Sequence, residues 1–243
     1  MRRRDLLSGS AALAATILGS RAVRAANGAA APVAASGRAG KLDPGTGRIP
    51  VAVAISRGVT VIDFAGPWEV FQDLWVAERG GDMDSQMVCD LYTVAETKEP
   101  VRGSAGLHLI PDHTFATAPA PRVVVVPAQS GSPALHEWLR KVSKTADVTM
   151  SVCTGAFQLA RAGLLAGLDA TTHHDFLDRL AKEFPDVKVK RGLRFVENPK
   201  ISTAGGLTSG IDLALRVVER YFGRPAAERT AVYMEYQSRG WQV

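Results

Sequence analysis

The run Val123-Val-Val-Val126 constrains this chain more than any other stretch. Four consecutive β-branched residues without polar alternation describe a strand buried on both faces. Such a strand belongs inside a mostly parallel sheet with helices above and below it. The neighbouring sequence agrees. Val51 to Ile55 is an apolar run of strand length, and Met87 to Val94 alternates as a second strand. Val148 to Val152 predicts another buried strand, with a helix over Gly155–Ala162 directly behind it. Ser132 or Pro133 opens a helix ending near Lys144. Trp68, Val70, Phe71, Leu74 and Trp75 recur at helical spacing, and Pro67 in front of them predicts a helix over Pro67–Glu78. Strands near Ala170–Thr172, Val187–Val189, Arg194–Val196 and Ile201–Thr203 then alternate with helices over Asp175–Phe184, Thr208–Phe222 and Ala226–Gln237. Ligands of such sheets sit at the carboxyl ends of the strands, and chemistry is expected there.

Composition narrows the classes. The chain has 243 residues, 46% of them hydrophobic, which suffices for a sizeable core. No apolar run reaches the roughly 20 residues needed to span a bilayer. Two cysteines exclude a disulfide scaffold or a four-cysteine zinc site. The formal charge of +5 is mostly an N-terminal property. Residues 1–25 hold five arginines and Asp5, and without them 24 basic residues face 23 acidic ones. A near-neutral body has no electrostatic reason to bind nucleic acid. Met1-Arg-Arg-Arg-Asp-Leu-Leu7, a modest apolar stretch and Val23-Arg-Ala25 read as a twin-arginine-type export signal over residues 1–25. Residues 26–48, rich in alanine, glycine and proline, read as a disordered linker before one α/β domain over 49–243. The expectation is a soluble periplasmic or secreted protein with no stable membrane insertion after cleavage.

Three residues carry chemistry. Cys153 lies where a strand stops and a helix begins, so a tight turn presents its sulfur to the helix amides. Such sites lower a thiol pKa below its usual value of about 8.5. Gly155 allows close approach, and Thr154 adds a hydroxyl and an amide beside the sulfur. Asp63 falls on a loop at the same sheet edge, among Val61, Ile62 and Phe64. Desolvation there suits it to acid–base work, and capping of a helix at Pro67 is the equal alternative. His173 ends a strand at this edge, where it can shuttle protons or serve packing alone. His174 and Asp175 follow it, yet no recognisable metal-ligand spacing is present, and no metal or cofactor is expected. Cys89 reads as core and Lys188-Val-Lys-Arg191 as a solvated edge strand.

Five segments occur in register: Val61-Ile-Asp-Phe-Ala-Gly-Pro-Trp-Glu-Val-Phe71, Ser151-Val-Cys-Thr-Gly-Ala-Phe157, Ala162-Gly-Leu-Leu-Ala-Gly167, Ala170-Thr-Thr-His173 and Thr208 to Arg220. Together they resemble the ThiJ/PfpI superfamily, of class I glutamine-amidotransferase-like fold, over about residues 50–225. Within it the isonitrile hydratase branch is most similar. The resemblance implies a flavodoxin-like sandwich with a nucleophile elbow at Cys153. It implies that Asp63 contacts that cysteine, with Thr154 and His173 near it, and that Gly66, Ala128, Gln129 and Gly155 shape a substrate or oxyanion pocket. It also implies a homodimer, a small-molecule substrate and no cofactor. Two departures stand out. Pro127-Ala-Gln-Ser-Gly131 replaces the family's Pro-Gly-Gly, and His174 replaces an aromatic residue.

The implied activity is hydration of an isocyanide to an N-substituted formamide through a Cys153 thioimidate. A non-catalytic binding or redox-sensing protein using the same cysteine is the alternative from another class. Hydrolase or glyoxalase/deglycase chemistry is a further one, and would want a glutamate in place of Asp63. Sensor domains of arabinose-regulator-type factors share these motifs. Those factors carry a C-terminal helix-turn-helix pair, for which no room is expected before Val243.

Overall fold

The computed structural model describes residues 39–242. Strands β1 (Ile49–Ala54), β2 (Cys89–Ala95), β5 (His113–Thr114), β6 (Val123–Val126), β7 (Val148–Ser151), β10 (Phe195–Glu197) and β11 (Ile201–Ala204) form one sheet. Its order is β10-β11-β7-β6-β1-β2-β5. Every pairing is parallel except β10 with β11. Two-residue strands make two further ribbons, β3 (Val101–Arg102) with β4 (His108–Leu109) and β8 (Asp169–Ala170) with β9 (Lys188–Val189). The helices are α1 (Val61–Gln72), the single turn α2 (Met83–Gln86), α3 (Pro133–Val142), α4 (Gly155–Arg161), α5 (Leu177–Glu183), α6 (Ser209–Phe222) and α7 (Arg224–Tyr233). This is the expected α/β sandwich.

The valine run sits between β1 and β7, with all four residues buried. The two-residue period of a strand divides it between two cores. Val123 and Val125 pack with α1, α6 and α7 residues such as Phe71, Leu213 and Ala227. Val124 and Val126 pack with Leu135, Trp138 and Leu159 of α3 and α4. Burying each such side chain stabilises the fold by about 1.5–3 kcal/mol. Helix α3 starts as its residues dictate, with Pro133 in the first turn and the Ser132 hydroxyl accepting from Leu135 N at 3.2 Å.

Helix α1 departs from the expected start at Pro67. It begins at Val61, six residues earlier, and holds Pro67 in its interior. Tertiary partners set this start. Thr60 N donates to Ala128 O at 2.9 Å, and Val61 N donates to Ser104 Oγ at 3.2 Å. The cost of a proline without an N–H is outweighed by burial of Phe64, Pro67, Val70 and Phe71 on one face. The helix ends at Gln72, and Ala77–Arg79 forms a separate 3-10 turn.

The linker reading does not hold over 39–48. Ala39 is buried, Leu42 N donates to Arg220 O at 2.8 Å, and Arg122 Nη1 donates to Pro44 O at 2.9 Å. Arginines elsewhere in the domain capture the carbonyls of a segment whose composition shows only small residues. The rest of that expected linker and the expected export signal over residues 1–25 lie outside the described residues. Among the described residues no helix is long and apolar enough to cross a membrane.

Candidate functional site

Strand β7 delivers the chain to Val152, and Cys153 turns it sharply into α4. The turn places Cys153 at φ 56°, in the left-handed region. That conformation costs a residue bearing a Cβ about 1–2 kcal/mol. Three bonds hold it. Cys153 N donates to Gly205 O at 2.7 Å, Thr172 Oγ1 donates to Cys153 O at 2.8 Å, and Gly155 N donates to Val152 O at 2.9 Å. Gly155 is obligatory, because a Cβ there would stand 2.0 Å from Val126 O. The elbow is thus wedged against the end of β6.

Asp63 meets the sulfur from α1. It occupies the first turn of that helix rather than a loop, and it is fully buried. It does not cap its own helix. Its Oδ2 accepts from Ala128 N, at the end of β6, at 3.1 Å. Among the described residues Oδ1 meets no donor at full hydrogen-bond geometry. Burial pushes the Asp63 carboxyl up to about 6, against the pull of the Ala128 amide and the Cys153 thiol. Burial also pushes the thiol up to about 11, and the Asp63 charge adds to this. The amides of Thr154 and Leu207 and the Thr154 hydroxyl oppose it more weakly. The expected low thiol pKa is therefore corrected. In the resting pair the proton sits on sulfur and the carboxylate is the base.

The other expected residues divide. Thr154 lies against the sulfur. Gly155 shapes the elbow. Gly66 faces α6 instead, since a Cβ there would stand 2.8 Å from Ile211 Cγ1. Ala128 has its amide on Asp63, and Gln129 Nε2 donates to Ala54 O at 2.9 Å. The Ala128 amide and the bonded Gln129 Nε2–H are thus turned away from the sulfur's substrate side by partners of their own. His173 makes no hydrogen bond to Cys153. Its Nδ1 accepts from Asp175 N at 3.3 Å, and its ring packs on Gly206. Cys89 and Cys153 are both free, and Cys89 is core.

The elbow lies between two clefts. One of about 430 Å³ is lined by Thr172, His173, Arg194, Gly205, Leu207 and Thr208. The other, of about 280 Å³, is lined by Gln129, Thr154, Phe157, Gln158, Arg161 and Arg179. Sequence reasoning passed over Gly205, Gly206 and Leu207. The signal for them was the glycine pair directly after a buried strand, at the edge where ligands bind.

Comparison with known proteins places this geometry. Residues 50–220 match the DJ-1/PfpI family. The chain belongs to that family. An isonitrile hydratase from Pseudomonas putida is 34% identical over 187 residues, covering 73% of this chain and 74% of that protein. An HTH-type transcriptional regulator, CdhR of Pseudomonas aeruginosa, is 36% identical over 97 residues, covering 40% of this chain and 29% of the regulator. A crystal structure of a ThiJ/PfpI family protein from Pseudomonas syringae superposes with a TM-score of 0.68 at 29% identity, covering 79% of this chain and 76% of that one. The DJ-1/PfpI membership accords with the mixed, mostly parallel sheet.

Proposed function

We propose that this protein is a cysteine-dependent isonitrile hydratase. The observation that carries the reading is Asp63, a buried carboxyl raised to about 6, set against the Cys153 thiol. A base whose pKa lies near neutrality takes the thiol proton only as sulfur attacks. The sulfur forms a bond to the terminal carbon of R–N≡C. The proton that left sulfur for Asp63 passes to that same carbon. The product is the thioimidate R–N=CH–S–Cys153. Asp63, again ionised, then draws a proton from water as its oxygen adds to the carbon. The C–S bond breaks, nitrogen and sulfur each end with one proton, and R–NH–CHO leaves.

The engaged donors at positions 128 and 129 are compatible with this chemistry. Ala128 N–H is taken by Asp63, and Gln129 is turned to Ala54. Addition to an isocyanide creates no oxyanion, so the first step does not need them. The identity to the Pseudomonas putida hydratase supports the same choice. We also propose export through residues 1–25 and a homodimeric state, on the sequence pattern and the resemblance stated above.

The test is formamide release from a small alkyl isocyanide. The rate is expected to rise with pH through about 6 as Asp63 ionises, to vanish in Cys153→Ser, and to fall at least 100-fold in Asp63→Asn. No formamide from the native protein, with its thiol shown to be reduced, removes the hydratase reading. A binding role related to that of the regulators then takes its place.

A further inference from the structure

The geometry points to a divalent transition-metal site formed by His173, His174 and Asp175 at the mouth of the larger cleft. Each of the three offers one ligand atom, and these atoms lie within 4.8 Å of one another. His174 Nε2 stands 3.1 Å from Asp175 Oδ1, and His173 Nδ1 stands 3.6 Å from Asp175 Oδ2. Ligands around a tetrahedral ion at about 2.0–2.1 Å lie roughly 3.3 Å apart. The His174–Asp175 edge thus has the required length already, and His173 lies close to the other oxygen of the same carboxylate.

The electrostatics call for a cation. Asp175 N–H donates to His173 Nδ1, which fixes that nitrogen as an acceptor. That bond uses the nitrogen's one lone pair, so an ion bound there displaces the Asp175 amide, and the carboxylate oxygen 3.6 Å away lies in reach as its next ligand. Arg194, which lines the same cleft, is already engaged with the buried Asp212.

The frame is half rigid and half adjustable. The His173 ring is wedged, since a Cβ on Gly206 would stand 2.4 Å from its Cδ2. It is stacked on the His174 ring, with centroids 4.3 Å apart. His174 and Asp175 are exposed, so both can rotate to close the other two edges. Two imidazoles and one carboxylate suit Zn²⁺, Co²⁺, Ni²⁺ or Cu²⁺, and three protein ligands leave coordination positions open. Linear spacing hides the site, because three consecutive residues match no helical or loop ligand period.

The experiment titrates Co²⁺ into the untagged full-length protein, read by visible absorption and calorimetry. One ion per chain is expected, without an intense near-ultraviolet thiolate band. His174→Ala and Asp175→Asn, both at exposed positions, are each expected to weaken binding at least tenfold. Cys153→Ser is expected to bind as the native protein does. The proposal is overturned by the absence of saturable binding, by unchanged affinity in His174→Ala, or by loss of binding in Cys153→Ser. None of these readouts depends on turnover, so they stand apart from the hydratase test.

Discussion

Asp63 binds protons more tightly in the folded protein than in the unfolded chain, because its site is dry. Its folded value is about 6, against an ordinary value of 3.8. Between those two values the native state holds the extra proton, so stability rises as pH falls through this window. Above about pH 6 the buried charge is a standing penalty. Two units correspond to about 3 kcal/mol at most, since each is worth about 1.4 kcal/mol. Asp63→Asn keeps the shape and an acceptor for Ala128 N–H while removing the charge. It is expected to stabilise the fold at pH 7.5 by about 2 kcal/mol, and the gain should disappear near pH 4. Urea unfolding at the two pH values measures this, and a native protein more stable than Asp63→Asn at pH 7.5 would refute it. The residue whose neutralisation is expected to cost at least 100-fold in activity is thus one that weakens the fold, as happens where a site is kept for chemistry.

At the scale of elements, the elbow depends on how closely α4 approaches β6. Gly155→Ala drives a Cβ to 2.0 Å from Val126 O, and neither group is a side chain that can rotate away. The expected loss is about 3 kcal/mol or more, a fall in Tm of about 6–12 °C. Gly163 is the control. It has φ +76° but open space around it, so Gly163→Ala should lose only about 1 kcal/mol. Similar melting temperatures for the two variants would show that the approach is not tight. Both glycines sit in legible motifs, yet only three-dimensional contact tells them apart. The same limit governs the elements. The four valines and Ser132-Pro133 were legible because burial and capping act locally. Helix α1 was misplaced because its start depends on Ala128 and Ser104, 43 or more residues away in sequence. Strands β3, β4 and β5 were missed because each has only two residues and none follows an apolar run. At the site, Cys153 and Asp63 were legible as residues. The direction of the thiol shift was not, because it depends on how deeply two separate elements bury the pair.

Over the whole molecule, chemistry and anchorage occupy opposite ends of the sheet. Cys153, Asp63 and both clefts lie where the parallel strands end. Residues 39–48 cross the other end, where β1, β6 and β7 begin. Arg122 is the knot there. Its guanidinium donates to Pro44 O at 2.9 Å and to Asp147 Oδ2 at 2.7 Å, and it lies 5.4 Å from the centre of the Tyr221 ring. Tyr221 Oη donates to the same Asp147 oxygen at 2.7 Å. Arg122→Ala removes the strap's bonds at Asp43 and Pro44 and half of the Asp147 pairing at once. The ion pair is about one-third exposed, so most of the loss comes from the carbonyl bonds and ring packing. A destabilisation of about 2 kcal/mol is expected, with Tm lower by about 4–8 °C. Limited proteolysis should then cut within 39–48 while the remainder stays intact, because a segment held by few contacts opens before the core does. Turnover measured well below Tm should stay unchanged, since no strap residue approaches the elbow. A variant that resists cleavage yet loses activity would mean that the two ends of the sheet are coupled and that the strap belongs to the site.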